Sequence, residues 1–160
     1  MKFSELEYRR PDVARIEEDY KALIERVKKA ETDEEILDIW AAHQRLSTEF
    51  NLSDRTVYIR NTMNTKDEFY LGEKAYFNSV SPSYYNTQNQ LYKALLEHPK
   101  LQVLADKFGS ILPKRMQVAL DAADESVIDL QREDNALVQE YDELYASYMV
   151  EFEGKQMTLP

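Results

Sequence analysis

Three glycines and five prolines in 160 residues leave this chain very little with which to build tight turns. Glycine supplies positive φ and proline fixes φ, and turn-rich β architectures rely on both. A chain so poor in them is set for long helices, and its apolar periodicity agrees. Val13, Ile16, Tyr20, Leu23, Ile24 and Val27 recur at spacings of three and four, with Glu17, Glu18, Lys21, Glu25, Arg26 and Lys28 between them. Pro11 is placed to open that helix, and Ala30 to close it. Thr32 followed by Glu35 has the spacing of a capping box. Behind it Ile36, Ile39, Trp40, His43, Leu46 and Phe50 form a second stripe. Asn51 to Asp54 either ends this helix or kinks it; the expectation is one long helix running on through Val57, Tyr58 and Ile59 to about Thr62.

Thr65 and Glu68 repeat the capping-box spacing ahead of a third helix through Phe69, Tyr70, Tyr76 and Phe77. Ser81-Pro82 reads as a restart, with serine as cap and proline at the first helical position. The helix it opens carries Tyr85, Leu91, Tyr92, Leu95 and Leu96 and stops before Pro99. A short helix from Pro99 to Phe108 closes at Gly109, and another runs from Pro113 to about Ala122. Asp124 is expected to cap the last long helix, which bears Val127, Ile128, Leu130, Leu137, Val138, Tyr141, Leu144, Tyr145 and Tyr148. The polar stretch Gln131 to Asn135 interrupts that stripe and is expected to face water or a partner. After Tyr148 the period drops to two around Gly154-Lys155, the mark of a β-hairpin. The reading is all-α: five to seven helices over residues 1–148, then a hairpin over 149–160. An isolated hairpin is marginal in water, and Thr158-Leu159-Pro160 looks like the approach to another helix, so the hairpin is expected to lead into a further domain.

The net charge is −10, the wrong sign for neutralising phosphates, which excludes nucleic acid as partner. The surplus is local. From Asp121 to Glu153 there are eleven acidic residues against one basic residue, Arg132, and the rest of the chain is balanced. Without cysteine the chain has no disulfide, thiolate nucleophile or zinc–cysteine site, which fits a reducing, cytoplasmic setting. No apolar run has the length of a signal peptide or a membrane span.

The opening MKFSELEYRRPD, the segment IRNTMNTKDEFY, the helix SPSYYNTQNQLYKALLEH and the closing VEFEGKQMTLP resemble, in order and spacing, the N-terminal region of oligoendopeptidase F-like zinc peptidases, relatives of thimet oligopeptidase. The resemblance runs over essentially the whole chain and lies in the succession of these segments. It implies a mostly helical lobe beside a deep channel, a parent activity of hydrolysing short peptides, and a catalytic domain further on as its partner. In that family zinc sits on a downstream HExxH helix, with one more glutamate ligand. HExxH needs two histidines four apart on one helical face. This chain has two histidines in all, His43 and His98, and neither has such a companion. No catalytic or metal-binding residue is therefore carried over, and no cofactor is expected in the chain itself. The role implied is a non-catalytic part of the channel wall. The other reading is a free-standing acidic helical module that docks a basic partner.

Individual residues point to structure before chemistry. His43 reads as a hydrogen-bonded core histidine, and His98 as a histidine set against a helix C-terminal dipole. Asp121, Asp124, Glu125 and Asp129 lack the loop glycine and alternating ligands of a calcium site, and are read as capping charges. Arg55 and Arg60 read as surface or structural ion pairs rather than anchors for substrate carboxylates. Tyr84 is singled out as an exposed substrate-channel contact; Tyr141, Tyr145 and Tyr148 read first as packing in the core or at an interlobe seam, with Tyr141 and Tyr145 also candidates for the channel wall. Apolar surface left over by the last helix and the hairpin makes self-association into a homo-oligomer a further expectation.

Overall fold

The computed structural model describes residues 6–123, 128–152 and 154–158. Six helices and one hairpin account for nearly all of them: α1 Val13–Lys29, α2 Asp33–Met63, α3 Glu68–Leu96, α4 Gln102–Phe108, α5 Ile111–Asp121, α6 Ile128–Ser147, β1 Met149–Phe152 and β2 Lys155–Thr158. The all-α reading with a C-terminal hairpin holds. β1 and β2 are antiparallel, with Met149 opposite Thr158 and Phe152 opposite Lys155, and Gly154 takes the positive φ (76°) that the turn demands.

Local chemistry sets most of the boundaries. The Asp12 carboxylate accepts the Arg15 N–H, so α1 starts after the cap and Pro11 lies outside the helix rather than in its first turn. Thr32 and Glu35 close a reciprocal capping box at α2, which then runs unbroken past Asn51 to Met63. At α3 the cap is Asp67, accepting from Phe69 and Tyr70, and not Thr65. A carboxylate one residue from the first turn outcompetes a hydroxyl three residues away. The expected Asp124 cap of α6 lies outside the described residues.

The main departure is at Ser81-Pro82. No helix restarts there, because Pro82 lies inside α3, buried in the middle of a 29-residue helix. Proline has no N–H to give the carbonyl four residues back, so the Asn78 C=O loses its helical donor. The Asn135 side-chain amide, on α6, donates to that oxygen at 3.4 Å. Tertiary structure thus supplies the hydrogen bond that the proline withholds.

Helices α1, α2 and α3 pack as a three-helix core whose fully buried side chains include Ile16, Tyr20, Ile39, Phe50, Phe77 and Tyr84. Phe50 stacks on Tyr84 with ring centroids 3.7 Å apart and meets Phe77 edge-on at 5.5 Å. A polar string threads this core. Gln88 donates to the Tyr84 hydroxyl at 3.3 Å, and the Tyr20 hydroxyl lies 3.1 Å from His43 Nδ1, with the Tyr92 hydroxyl 3.4 Å from His43 Nε2. Burial drives the His43 pKa down to about 4. At the rim, buried Glu73 is gripped by the Arg10 guanidinium and the Tyr8 hydroxyl, which ties the N-terminal segment to α3. The Arg10 hydrogen bonds hold that carboxyl below its usual range.

Two outcomes follow for folding. Phe50→Ala should cost about 3–5 kcal/mol in denaturant unfolding, whereas Leu144→Ala, at a position 66% exposed, should stay within about 0.5 kcal/mol. For pH, the depressed His43 pKa means that the unfolded chain takes up a proton below about 6.5 and the folded chain does not. Stability should therefore fall as pH drops from about 6.5 to 4, by at most about 3 kcal/mol. Melting curves over that range should show this slope in the parent protein and a flatter one in His43→Gln.

Candidate functional site

The two imidazoles are structural. His43 offers both ring nitrogens to tyrosine hydroxyls, as above. His98 places Nε2 3.2 Å from the Ala30 carbonyl and accepts the Lys100 N–H on Nδ1 at 3.1 Å, joining the end of α3 to the end of α1. Among the described residues no group of three or more histidine, aspartate or glutamate side chains is placed to share a metal ion. Arg60 is a structural clamp that reaches the Tyr70 hydroxyl and the Leu6 carbonyl, while Arg55 lies 3.8 Å from Asp54.

The tyrosines separate into two kinds. Tyr84, expected as an exposed contact, is fully buried beneath Phe50, and its neighbour Tyr85 is the one that reaches the surface. The reason is register: an unbroken α3 turns Tyr84 onto the inward face shared with Phe77, Leu91 and Leu95, where a restart at Ser81 would have left that face free to choose. Tyr141 and Tyr145 do lie at the surface, 65% and 45% exposed, with rings stacked at 6.2 Å.

Their helix is the unusual element. Helix α6 approaches α3 with its polar side. Arg132 Nε donates to the Ser79 carbonyl at 3.1 Å, Asn78 donates to Gln139 Oε1 at 2.8 Å, and Lys74 pairs with Asp142 at 3.3 Å. In the stretch expected to face water or a partner, Gln131 to Asn135, the first four residues are exposed as expected, and Arg132 and Asn135 also reach α3. The apolar stripe points outward instead: Leu130, Leu137, Tyr141 and Leu144, continued by Tyr148, are all more than half exposed at spacings of seven, four, three and four. None of the described α6 side chains is buried. The helix as a whole carries six acidic residues and one arginine. Such a helix docks by the face that needs no burial and leaves in water the one that gains from leaving it.

Between α6, α5 and α3 runs a trough in two parts. One cavity of about 480 Å³ is lined by Asp54, Pro82 and several carboxamides, and a second of about 580 Å³ continues it toward Lys93 and Glu97. Periodicity alone gives no sign of this trough, because its lining comes from four separate segments. No described helix is long and apolar enough to cross a membrane.

Comparison with known proteins follows the same lines. Residues 3–123 match the family model described as the peptidase M3 N-terminal domain. Among solved structures the chain is similar to PZ peptidase A, solved with an inhibitor, at 30% identity and a TM-score of 0.93 over 98% of this chain. It is also similar to a protein assigned as oligoendopeptidase F from Bacillus anthracis str. Ames, at 26% identity and a TM-score of 0.93 over 99% of this chain. The chain spans 28% and 29% of those two proteins, respectively. No curated protein sequence matches it. The fold, the sequence match over three quarters of the length and the shared backbone together establish that this chain belongs to the peptidase M3 N-terminal domain family.

Proposed function

We propose that this chain is the N-terminal lobe of a zinc-dependent oligoendopeptidase, walling part of the channel by which short peptides reach the metal and supplying no catalytic atom. On this reading residues 1–148 form the helical lobe and 149–160 lead toward the catalytic domain, in a cytoplasmic enzyme. The observation that carries it is α6, anchored by polar contacts and displaying an apolar stripe outward. That geometry calls for a covering surface, and the acidic residues around the stripe favour a cover with basic residues at its margin. The share of the relatives that the chain spans is in keeping with a lobe whose cover is the rest of such an enzyme. Both imidazoles are already engaged by tyrosines and backbone, so zinc has no paired ligands here.

The work of such a lobe is binding and exclusion. A wall that admits an extended chain and rejects a folded domain selects substrates by shape, before any bond is broken. Each Leu or Tyr of the stripe is worth about 1.5–3 kcal/mol on full burial, enough for a few of them to hold two lobes in register.

The acidic flank also suits a free-standing module that binds a basic protein partner through the same stripe. The two readings differ in what the stripe meets. With zinc added, the purified chain should leave a quenched fluorescent peptide uncut, and chelator-sensitive cleavage by it would overturn the lobe reading. Leu137→Asp combined with Leu144→Asp should leave the melting of the 160-residue chain nearly unchanged, within about 1 kcal/mol. The same pair should loosen a polypeptide in which the chain is joined to a catalytic part. If the 160-residue chain itself collapses, the stripe belongs to its own core.

A further inference from the structure

We propose that the trough between α3, α5 and α6 binds an extended oligopeptide by its backbone, with carboxamide side chains as the readers and Asp54 and Lys93 marking the two ends. The inference deepens the channel-wall reading and rests on it for its place in a peptidase, while the binding itself is a property of this chain. The two cavities lie end to end along α3 and share Asn86, Asn89 and Ala123 in their lining. The lining runs along α3 from Asn78 to Leu96, with Glu97 just past its end. That is about 28 Å of helix at 1.5 Å per residue, the reach of about eight residues of extended chain.

The chemistry of the lining selects the ligand. Asn86, Asn89, Gln90 and Gln131 face the trough. Of these, Gln90 and Gln131 are exposed and Asn89 is half-buried, so their amides are open to a ligand. A carboxamide presents a donor and an acceptor side by side, in the same arrangement as a peptide unit, so it can pair with backbone whatever side chain that backbone carries. Ala119, Ala122 and Ala123 keep the opposite wall low and leave room for those side chains. An apolar ligand would strand these amides without partners, and a polyanion would meet the net charge of −10.

Charge enters only at the ends. The Asp54 side chain is 22% exposed, and its ion pair with Arg55 is long, at 3.8 Å. Burial raises its pKa, the condition of a carboxylate that a ligand ammonium would relieve. At the far end Lys93 lines the second cavity beside Glu97. A peptide would therefore lie with its N-terminus at Asp54 and its C-terminal carboxylate toward Lys93.

The test uses the whole 160-residue chain, labelled with nitrogen-15, and the octapeptide (Ala-Gly)4 with free ends. Titration should shift the side-chain amide signals of Asn89, Gln90 and Gln131. Asn89→Ala and, independently, the exposed Gln90→Ala should each weaken binding about three- to tenfold, with melting unchanged. Asp54→Asn should weaken the free peptide by a similar factor and leave the N-acetylated peptide unaffected. Unmoved carboxamide signals at millimolar peptide would overturn the proposal, as would shifts confined to the outward stripe of α6. Equal losses for free and acetylated peptide would remove Asp54 from its end role. None of these results depends on the stripe substitutions or on the zinc assay, so the lobe reading can fail while this one stands, and the reverse.

Discussion

Helix α3 is the constraint on which the rest of the molecule depends. It packs against α1, α2, α5 and α6, and a helix that serves so many neighbours must keep one register over its whole length. Pro82 threatens that register at its centre. A proline in a helix interior costs about 3 kcal/mol, from the lost hydrogen bond and the crowding of the ring. Here the chain stays helical because both sides of the damage are repaired. The inward face carries Phe77 and Tyr84 into the aromatic core, and the outward carbonyls of Asn78 and Ser79 receive donors from Asn135 and Arg132. The proline thus becomes an attachment point for α6, freeing the Asn78 carbonyl that a regular helix would have kept to itself.

This attachment explains why α6 is inside out. A helix recruited by exposed carbonyls must offer donors, so it turns its amides and its arginine inward and its leucines and tyrosines away. The bond between the elements is polar and local, while the apolar stripe remains available to a second surface. That division separates two jobs usually done by one face: holding the helix in place and meeting a partner. The acidic surplus of the sequence gathers around the same stripe, so like charge works against pairing of two copies through it and favours a cover of opposite sign.

The core makes a parallel use of polarity. Buried polar groups cost free energy unless hydrogen-bonded, and Gln88, Tyr84, Tyr20, His43 and Tyr92 meet that demand by serving one another. The imidazole is tuned to stay neutral and sits where a proton would be expensive. Its two nitrogens both meet tyrosine hydroxyls.

The sequence by itself determined the helical class, the capping box at Thr32 and Glu35, the hairpin period after Tyr148 and the family, because these are written in nearest-neighbour spacing and in the order of segments. It also placed His43 in the core, since Trp40 and Leu46 share its face. Three things were beyond it for one physical reason, which is that each depends on a group far away in the chain. Pro82 reads as a helix start until Asn135, more than fifty residues on, satisfies the carbonyl it frees. Tyr84 reads as exposed until the unbroken register of α3 turns it onto Phe50. The stripe of α6 reads as a core face until the polar side is seen to be the one that docks. Periodicity marks which side of a helix is apolar, and only the tertiary structure decides which side is covered.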